Sequence, residues 1–345
     1  MSRYPFPVPF GWFQVGYPED FPAGEAKPLY YFDRHLVAWR DEAEAVHVQD
    51  AFCPHLGAHL GHGGIVDGCE LVCPFHGWRF DAEGNNTDIP YSERLNRKAH
   101  VRPYPTLERN GLVFCWFHPQ DAPPAFDVPE IPEFNDHPDF QARIRTEYTV
   151  DAAWQEMSEN GVDNAHFRYV HNTASVPEIV SYETDGFESD MQSSQKFPTP
   201  RGVMEGHIDS HGWGPGISLV WFTGIVDTVN LATTTPVSAE QCVMRFNFSF
   251  RDLGDAKTTE HVGQAFVAEV DKQVREDRPI WEHKAHLVRP ALADGDGPIM
   301  KFRKWASQFY AEPVGDERLV YPPPHWPDRM DDAPAKATAS SRLSD

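Results

Sequence analysis

Two short stretches, Cys53-Pro54-His55 and Cys73-Pro74-Phe75-His76, each offer one thiolate and one imidazole, with seventeen residues between His55 and Cys73. Four such ligands at this spacing make a metal site. Zinc takes a Cys2His2 set in tetrahedral geometry, but in zinc fingers one short loop usually supplies both cysteines and one element both histidines. Here each loop gives one of each. The mixed pairing suits a [2Fe-2S] centre in which Cys53 and Cys73 hold one iron while His55 and His76 hold the other, raising its potential above that of an all-cysteine cluster. Gly57 and Gly77, close behind the ligands, let backbone amides approach the sulfurs, and Pro54 and Pro74 stiffen the loop tips.

A second constellation is Asn160-Gly161-Val162-Asp163-Asn164-Ala165-His166, with His171 five residues further on. It falls in a run expected to be helical from Asp151 to Val170, with Trp154 and Met157 on one face. On such a helix Asp163 and His166, three apart, share a face. His166 and His171 lie about 140° apart at ~100° per residue, so they meet one ion only if the helix loosens or ends between them. The chain has 17 histidines, and a histidine taken singly is more often a core or surface residue than a ligand. Two histidines and one carboxylate leave positions open on ferrous iron where dioxygen binds. A long helix expected from His261 towards His286 offers Glu269, Asp271, Glu276 and Asp277 as the carboxylate.

The elements around these sites fall into two sets. With 345 residues, 40% of them hydrophobic and including 23 Phe and 10 Trp, the chain exceeds the usual single domain and has ample material for two cores. Alternation from Leu29 to Val48, then Trp78-Arg79-Phe80, a turn at Gly84-Asn85 and Leu112 to Trp116, describes a small all-β domain. Residues 119–138, rich in proline and acids, read as a linker. Beyond it come a strand from Gln141 to Val150, the helix from Asp151, strand-like runs Ile217–Ile225, Val229–Thr235 and Val243–Phe250, the long helix, and a shorter one around Met300 to Phe309. The expectation is an α+β chain: an N-terminal all-β domain over 10–122, an antiparallel sheet with helices (helix-grip type) over 123–330, and a disordered tail over 331–345.

Charge and composition narrow the partners. Asp and Glu number 52 against 30 Lys and Arg, a net charge of −22, which repels phosphate backbones and excludes nucleic acid. Such acidity either steers a basic patch on an electron-donating protein or serves solubility alone. No window approaches eighteen apolar residues, and Met1 to Gly16 lacks the basic start and apolar run of a signal peptide, so a cytoplasmic protein without a membrane span is expected. Cys69, Cys115 and Cys242 then read as free, mostly buried thiols in a reducing compartment. No Gly-x-Gly-x-x-Gly fingerprint occurs, so the chain itself is not expected to bind nicotinamide or flavin.

The runs Cys53-Pro54-His55-Leu56-Gly57-Ala58-His59 and Cys73-Pro74-Phe75-His76-Gly77-Trp78 resemble the Rieske domains of ring-hydroxylating oxygenases and related ferredoxins. Ala58 stands where respiratory-chain Rieske proteins carry a disulfide cysteine, so the cluster resembles the lower-potential oxygenase type. The pattern Asn160, Asp163, His166, His171 resembles the mononuclear iron motif of the same oxygenases. By that resemblance His166 and His171 bind Fe(II) with Asp277, because Asp277-Arg278-Pro279-Ile280-Trp281 matches the segment whose ligand aspartate precedes a tryptophan by four; Glu276 is the main rival. Asp163 matches a carboxylate bridging the two metal sites, linking His76 of one subunit to His166 of the next in a head-to-tail homotrimer, with Asn160 in support.

The resemblance further implies a monooxygenase using O2, with electrons from NAD(P)H delivered by a separate reductase, or a ferredoxin plus reductase. Running from Phe10 to about Pro313, it is nearest to the oxygenase components of 3-ketosteroid 9α-hydroxylases and to cholesterol 7-desaturases. Segments such as Ile89-Pro90-Tyr91, Thr235-Pro236-Val237 and Lys304-Trp305-Ala306-Ser307-Gln308-Phe309-Tyr310 carry it. Desaturases usually have an N-terminal membrane segment, which favours the hydroxylase type and a hydrophobic, steroid-like substrate. Trp221, Phe222, Val226, Leu231, Phe246 and Phe248 are candidate walls of its cavity. Alternatives are an oxygenase acting on an aromatic substrate (arylamine oxidation, aryl-ether O-demethylation or ring hydroxylation), a Rieske electron carrier, which leaves the second domain unexplained, and a structural zinc protein.

Overall fold

The computed structural model describes residues 3–135, 137–199, 202–224 and 227–311. The expected tail over 331–345, Pro313 and Val226 lie outside these residues. The chain divides into two compact units, one spanning Phe10–Ile131 and the other joining the N-terminal segment up to Pro9 to the chain from Pro132 on.

The first unit is built from three antiparallel sheets. Gly11–Gly16, Leu112–Phe117 and Thr106–Arg109 form one, with Leu112–Phe117 central; Ala26–Tyr31, Arg34–Arg40, Val46–Asp50 and Pro103–Tyr104 form the second; Ile65–Asp67, Glu70–Val72, Arg79–Phe80 and Asn86–Asp88 form the third. Val37, Trp39, Leu60, Leu71 and Phe80 make a buried core that includes Cys53 and Cys73, so the thiols rest directly on packed side chains. Each large residue so buried stabilises the unit by about 1.5–3 kcal/mol.

The proline-rich stretch is no free linker. Trp12 Nε1 donates to the carbonyl of Phe126 at 2.7 Å, Trp116 Nε1 to that of Ala122 at 2.9 Å, and Asn110 both donates to Pro129 O and accepts from Ile131 N, each at 2.9 Å. Val128 and Ile131 are buried. Proline has no amide to offer a sheet ladder, and side chains meet the carbonyls of Ala122, Phe126 and Pro129 instead; the first compact unit runs to Ile131.

In the second unit a seven-stranded antiparallel sheet runs, edge to edge, Phe140–Val150, Gln241–Arg251, Thr228–Ser238, Ile217–Thr223, Gly202–Trp213, Glu188–Thr199 and Glu178–Asp185. Among the described residues the helices are, in chain order, α1 (Trp154–Ser158), α2 (His166–Tyr169), α3 (Ala256–His283) and α4 (Ile299–Ala306). α3 is capped by Asp255, whose side chain accepts from Thr258 N at 2.8 Å. It packs on Phe248 and Phe250 through Val267. The approach is closest at Gly263, where a Cβ would stand 3.0 Å from the Phe250 ring. The N-terminal segment belongs to this unit: Tyr4 Oη donates to Trp281 O at 2.8 Å, and Phe6 packs against His286 and Tyr310.

The single helix expected from Asp151 to Val170 is instead three short pieces, α1, a 3-10 turn over Glu159–Val162, and α2. Asn160, Gly161, Asp163 and Asn164 are weak helix formers, and Asx side chains bond to nearby backbone in preference to continuing a helix. Asp163 is extended at φ −90°, ψ 106°, and its Oδ1 accepts from Ala165 N at 3.0 Å.

Candidate metal centres

The two cysteine-histidine loops share one geometry. Gly57 N donates to Cys53 O at 2.9 Å and Gly77 N to Cys73 O at 3.0 Å, while Cys53 N reaches Ala58 O and Cys73 N reaches Trp78 O, both at 2.8 Å. Gly57 and Gly77 sit at φ +76° and +70°, a conformation that costs other residues energy. The loops bring the His55 and His76 rings to 4.6 Å between centroids, with His55 stacked on Trp78 at 4.5 Å. Trp78 Nε1 is fixed by Tyr91 Oη at 2.8 Å.

The donor set fits an iron-sulfur cluster. Among the described residues the Nδ1 atoms of His55 and His76 are buried without a hydrogen-bond partner, which is costly unless something else binds them. Burial pushes the Cys53 thiol up to about 12, with Cys73 beside it adding to the rise. Thiolates there need a strong local positive charge, and metal ions supply one.

The second unit brings His166, His171 and Asp277 together, with one ligand atom from each lying within 4.8 Å of the others. α2 ends at Tyr169, so His171 leaves the helical path and its ring comes to 5.1 Å from that of His166. His171 Nδ1 bonds Glu276 Oε2 at 2.9 Å, and its Nε2 lies 3.4 Å from Asp277 Oδ1. Nδ1 of His166 is taken by the Asp163 carbonyl at 2.6 Å. Asn160 Nδ2 spans the group, 3.1 Å from Asp277 Oδ2 and 3.2 Å from His166 Nε2. Burial lowers the His166 pKa, which favours the neutral ring, the form in which an imidazole can bind a metal. At His171 burial acts the same way but is outweighed by Asp277 and Glu276, and the pKa rises.

The expected contact of Asp163 with His166 takes an altered form. The main-chain carbonyl of Asp163, rather than its carboxylate, meets the imidazole; the carboxylate lies 4.0 Å from Nδ1, half-exposed, over the start of α2.

Family models match both units: a Rieske [2Fe-2S] domain over residues 11–105 and a 3-ketosteroid 9α-hydroxylase C-terminal domain over 115–310. A 3-ketosteroid-9-alpha-monooxygenase oxygenase component of Rhodococcus rhodochrous is 30% identical, the match covering 88% of this chain and 81% of that one. The chain belongs to the 3-ketosteroid 9α-hydroxylase family of Rieske oxygenases. A cholesterol 7-desaturase of Caenorhabditis elegans is 31% identical over 88% of this chain and 77% of its own length. Among solved structures, dicamba monooxygenase bound to dicamba superposes with a TM-score of 0.72 at 21% identity, covering 87% of this chain and 96% of that one, a likeness of fold. As a Rieske oxygenase of this family the protein is an oxidoreductase whose first unit carries the [2Fe-2S] cluster.

In this oxygenase a cavity of about 330 Å³ reaches the His166, His171 and Asp277 group, with Met157, Met244 and Trp281 among its walls. Of the candidate wall residues, Phe222 and Phe246 line it. Trp221 and Leu231 are one residue out of step with the cavity-lining Val220, Phe222, Asn230 and Ala232 and so face away. Phe248 packs instead beneath α3 with Phe250 and Val267. The sequence did not single out Trp154, Asn230 or Trp305 as lining residues, yet each lines the cavity with a buried polar atom that lacks a hydrogen-bond partner among the described residues: Nε1, Oδ1 and Nε1. An isolated Asn in an otherwise β-branched and apolar strand was the available signal at Asn230. Cys115 and Cys242 are buried as expected, whereas Cys69 is exposed. Among the described residues no helix is long and apolar enough to cross a membrane.

Proposed function

We propose that the protein is the oxygenase component of a multicomponent monooxygenase that hydroxylates a steroid of 3-ketosteroid type. The observation that carries this reading is the cavity: apolar, of ligand size, and opening on two histidines and a carboxylate. The names of its relatives support the same substrate class.

His166, His171 and Asp277 would hold a mononuclear ferrous iron, and Cys53, His55, Cys73 and His76 the cluster. When bound, the iron would supply dioxygen activation and the cluster one-electron transfer, the electrons coming from a separate NAD(P)H-dependent reductase. This chain's own residues do the positioning. Glu276 accepts the Nδ1 proton of His171 and so directs Nε2 at the metal. The Asp163 carbonyl does the same for His166, and Asn160 steadies the Asp277 carboxylate. Met157, Phe222, Met244 and Phe246 exclude water from the substrate face. Trp154 Nε1–H, Trp305 Nε1–H and Asn230 suit a substrate that is mostly hydrocarbon with a few oxygen functions. Asp163 is assigned the carboxylate bridge between subunits of a head-to-tail homotrimer, in a cytoplasmic protein.

Tryptophan fluorescence tests substrate class, because Trp154, Trp281 and Trp305 line the cavity. Titration with a 3-ketosteroid should quench it saturably. A response to aromatic acids or methoxybenzoates and none to any steroid would move the assignment to an aromatic substrate.

A further inference from the structure

The turn that carries Asn160 is held from outside itself. Glu159–Val162 is one 3-10 turn, closed by a 3.3 Å bond from Asp163 N to Asn160 O, and Asn160 and Gly161 are weak helix formers. A turn this short is not stable by itself. Yet Asn160 Nδ2 has to stand 3.1 Å from Asp277 Oδ2 to steady that carboxylate. The anchor is the residue before it: Glu159, buried, meets the Arg303 guanidinium in a fork, with Nε 2.5 Å from Oε2 and Nη2 2.9 Å from Oε1.

The stretch that supplies Arg303 touches the turn at other points too. Arg303 Nη1 donates to Leu287 O at 2.6 Å, and Lys284 Nζ, directly after α3, stands 3.7 Å from Glu159 Oε1. At the last residue of the turn, Gly297 comes so close that a Cβ would stand 1.8 Å from Val162 O. All these contacts come from residues 284–303. Within that stretch α4 does two things. Phe302 and Trp305, three apart and so on one side of the helix, line the cavity, while Arg303, about 100° round from Phe302, reaches Glu159. The helix that walls the cavity therefore also grips the turn beside His166 and Asp277.

A buried ion pair stabilises a fold little more than well-packed apolar side chains of the same volume, so stability alone does not account for one at this place. What a guanidinium fork supplies is direction, because two parallel bonds fix the plane of the carboxylate they hold. We propose that Arg303 is a positioning residue for the second metal site. Through Glu159 it sets the turn, the turn sets Asn160, and Asn160 sets the Asp277 carboxylate. The inference rests on the reading that His166, His171 and Asp277 hold a metal, and it extends the residues that shape the site to a helix that supplies none of its ligands.

The test uses the full protein with its cluster, the second site emptied with a chelator and refilled with Co(II). High-spin Co(II) gives an EPR signal that follows its ligand geometry, and the oxidised cluster is silent. Arg303→Gln is expected to keep the metal, to shift the Co(II) signal to that of Asn160→Ala, and to lower kcat of the iron-loaded protein about tenfold. Arg303→Lys, which keeps the charge but not the fork, should fall between. Glu159→Gln should match Arg303→Gln, and it stands in for that variant should the latter fail to fold. The decisive comparison is Asn160→Ala/Arg303→Gln: residues acting in series do not add, so the pair should equal Asn160→Ala alone. A Co(II) signal unchanged in Arg303→Gln and Glu159→Gln, even with a lowered Tm, or an equal-fold loss of kcat with and without Asn160, would overturn the inference by leaving the ion pair a purely structural part. Failure of the unaltered protein to bind Co(II) would instead remove the metal reading beneath it.

Discussion

Glu276 and Asp277, adjacent on α3, divide one imidazole between them: Glu276 Oε2 lies 2.9 Å from Nδ1 of His171 and Asp277 Oδ1 lies 3.4 Å from its Nε2. Only Asp277 also belongs to the three-residue group with His166. The choice between these carboxylates, open from spacing alone, is thus a choice between a ligand and the group that orients one.

Asp277→Ala is accordingly expected to abolish mononuclear iron binding while leaving the cluster spectrum intact. Glu276→Gln should keep the iron but weaken its retention by about 10–100-fold. Metal content by elemental analysis with cluster absorbance checks both, and the reverse pattern would make Glu276 the ligand.

Asn160 joins the two sides of the site through Asp277 and His166. Asn160→Ala is expected to retain iron yet lower turnover about tenfold by letting the carboxylate swing. Steady-state kcat beside iron content separates this from simple metal loss.

Asp163 has two separable tasks. Its carboxylate accepts from the Ala165 and His166 amides at the start of α2, which an Asn side chain does nearly as well; the proposed bridge needs the charge. Asp163→Asn should therefore keep Tm within a few degrees and keep both metals while turnover collapses. Asp163→Ala should in addition lose about 1 kcal/mol of stability. Full turnover in Asp163→Asn would leave the residue only its local bonds to the Ala165 and His166 amides.

Glu156 makes the second unit acid-sensitive. Burial opposes its ionisation, but bonds from His286 at 2.6 Å and Lys284 at 2.8 Å outweigh this and hold it at about 2 against an ordinary 4.5. A carboxyl with a depressed folded pKa lends its stability above the unfolded value and loses it as pH falls through the folded one, so Tm should drop between about pH 4.5 and 2. Glu156→Gln should cost roughly 1–3 kcal/mol at neutral pH by weakening the bonds to His286 and Lys284 around a buried oxygen and should flatten the acid slope. A parallel slope would clear Glu156 of the effect.

The candidate metal ligands stand out in sequence because chemistry restricts their types: thiolates and imidazoles at short spacing are rare by accident. The end of the helix between His166 and His171 was similarly legible, since geometry forbade its continuing if both were to reach one ion. Less could be read where pattern is weak. Glu188–Thr199 contains Glu-Ser-Asp-Met-Gln-Ser-Ser-Gln, polar on both faces, so neither it nor the neighbouring Glu178–Asp185 announced itself as a strand. Trp221 and Leu231 are apolar like the cavity wall, but a strand's two faces differ by one residue, and only the register decides which looks at the ligand. The straps from Trp12 and Asn110 onto the proline-rich stretch join residues 114 and 19 apart in the chain, and no local pattern records them.

The most direct test is mass analysis of products after incubating the iron-loaded protein with a reductase, NADH and isotopically labelled dioxygen, offering 3-ketosteroids, sterols and aromatic acids or amines side by side. A 3-ketosteroid product carrying one labelled oxygen, absent with Asp277→Ala, is the expected result. A hydroxylated or demethylated aromatic with every steroid recovered unchanged would contradict it.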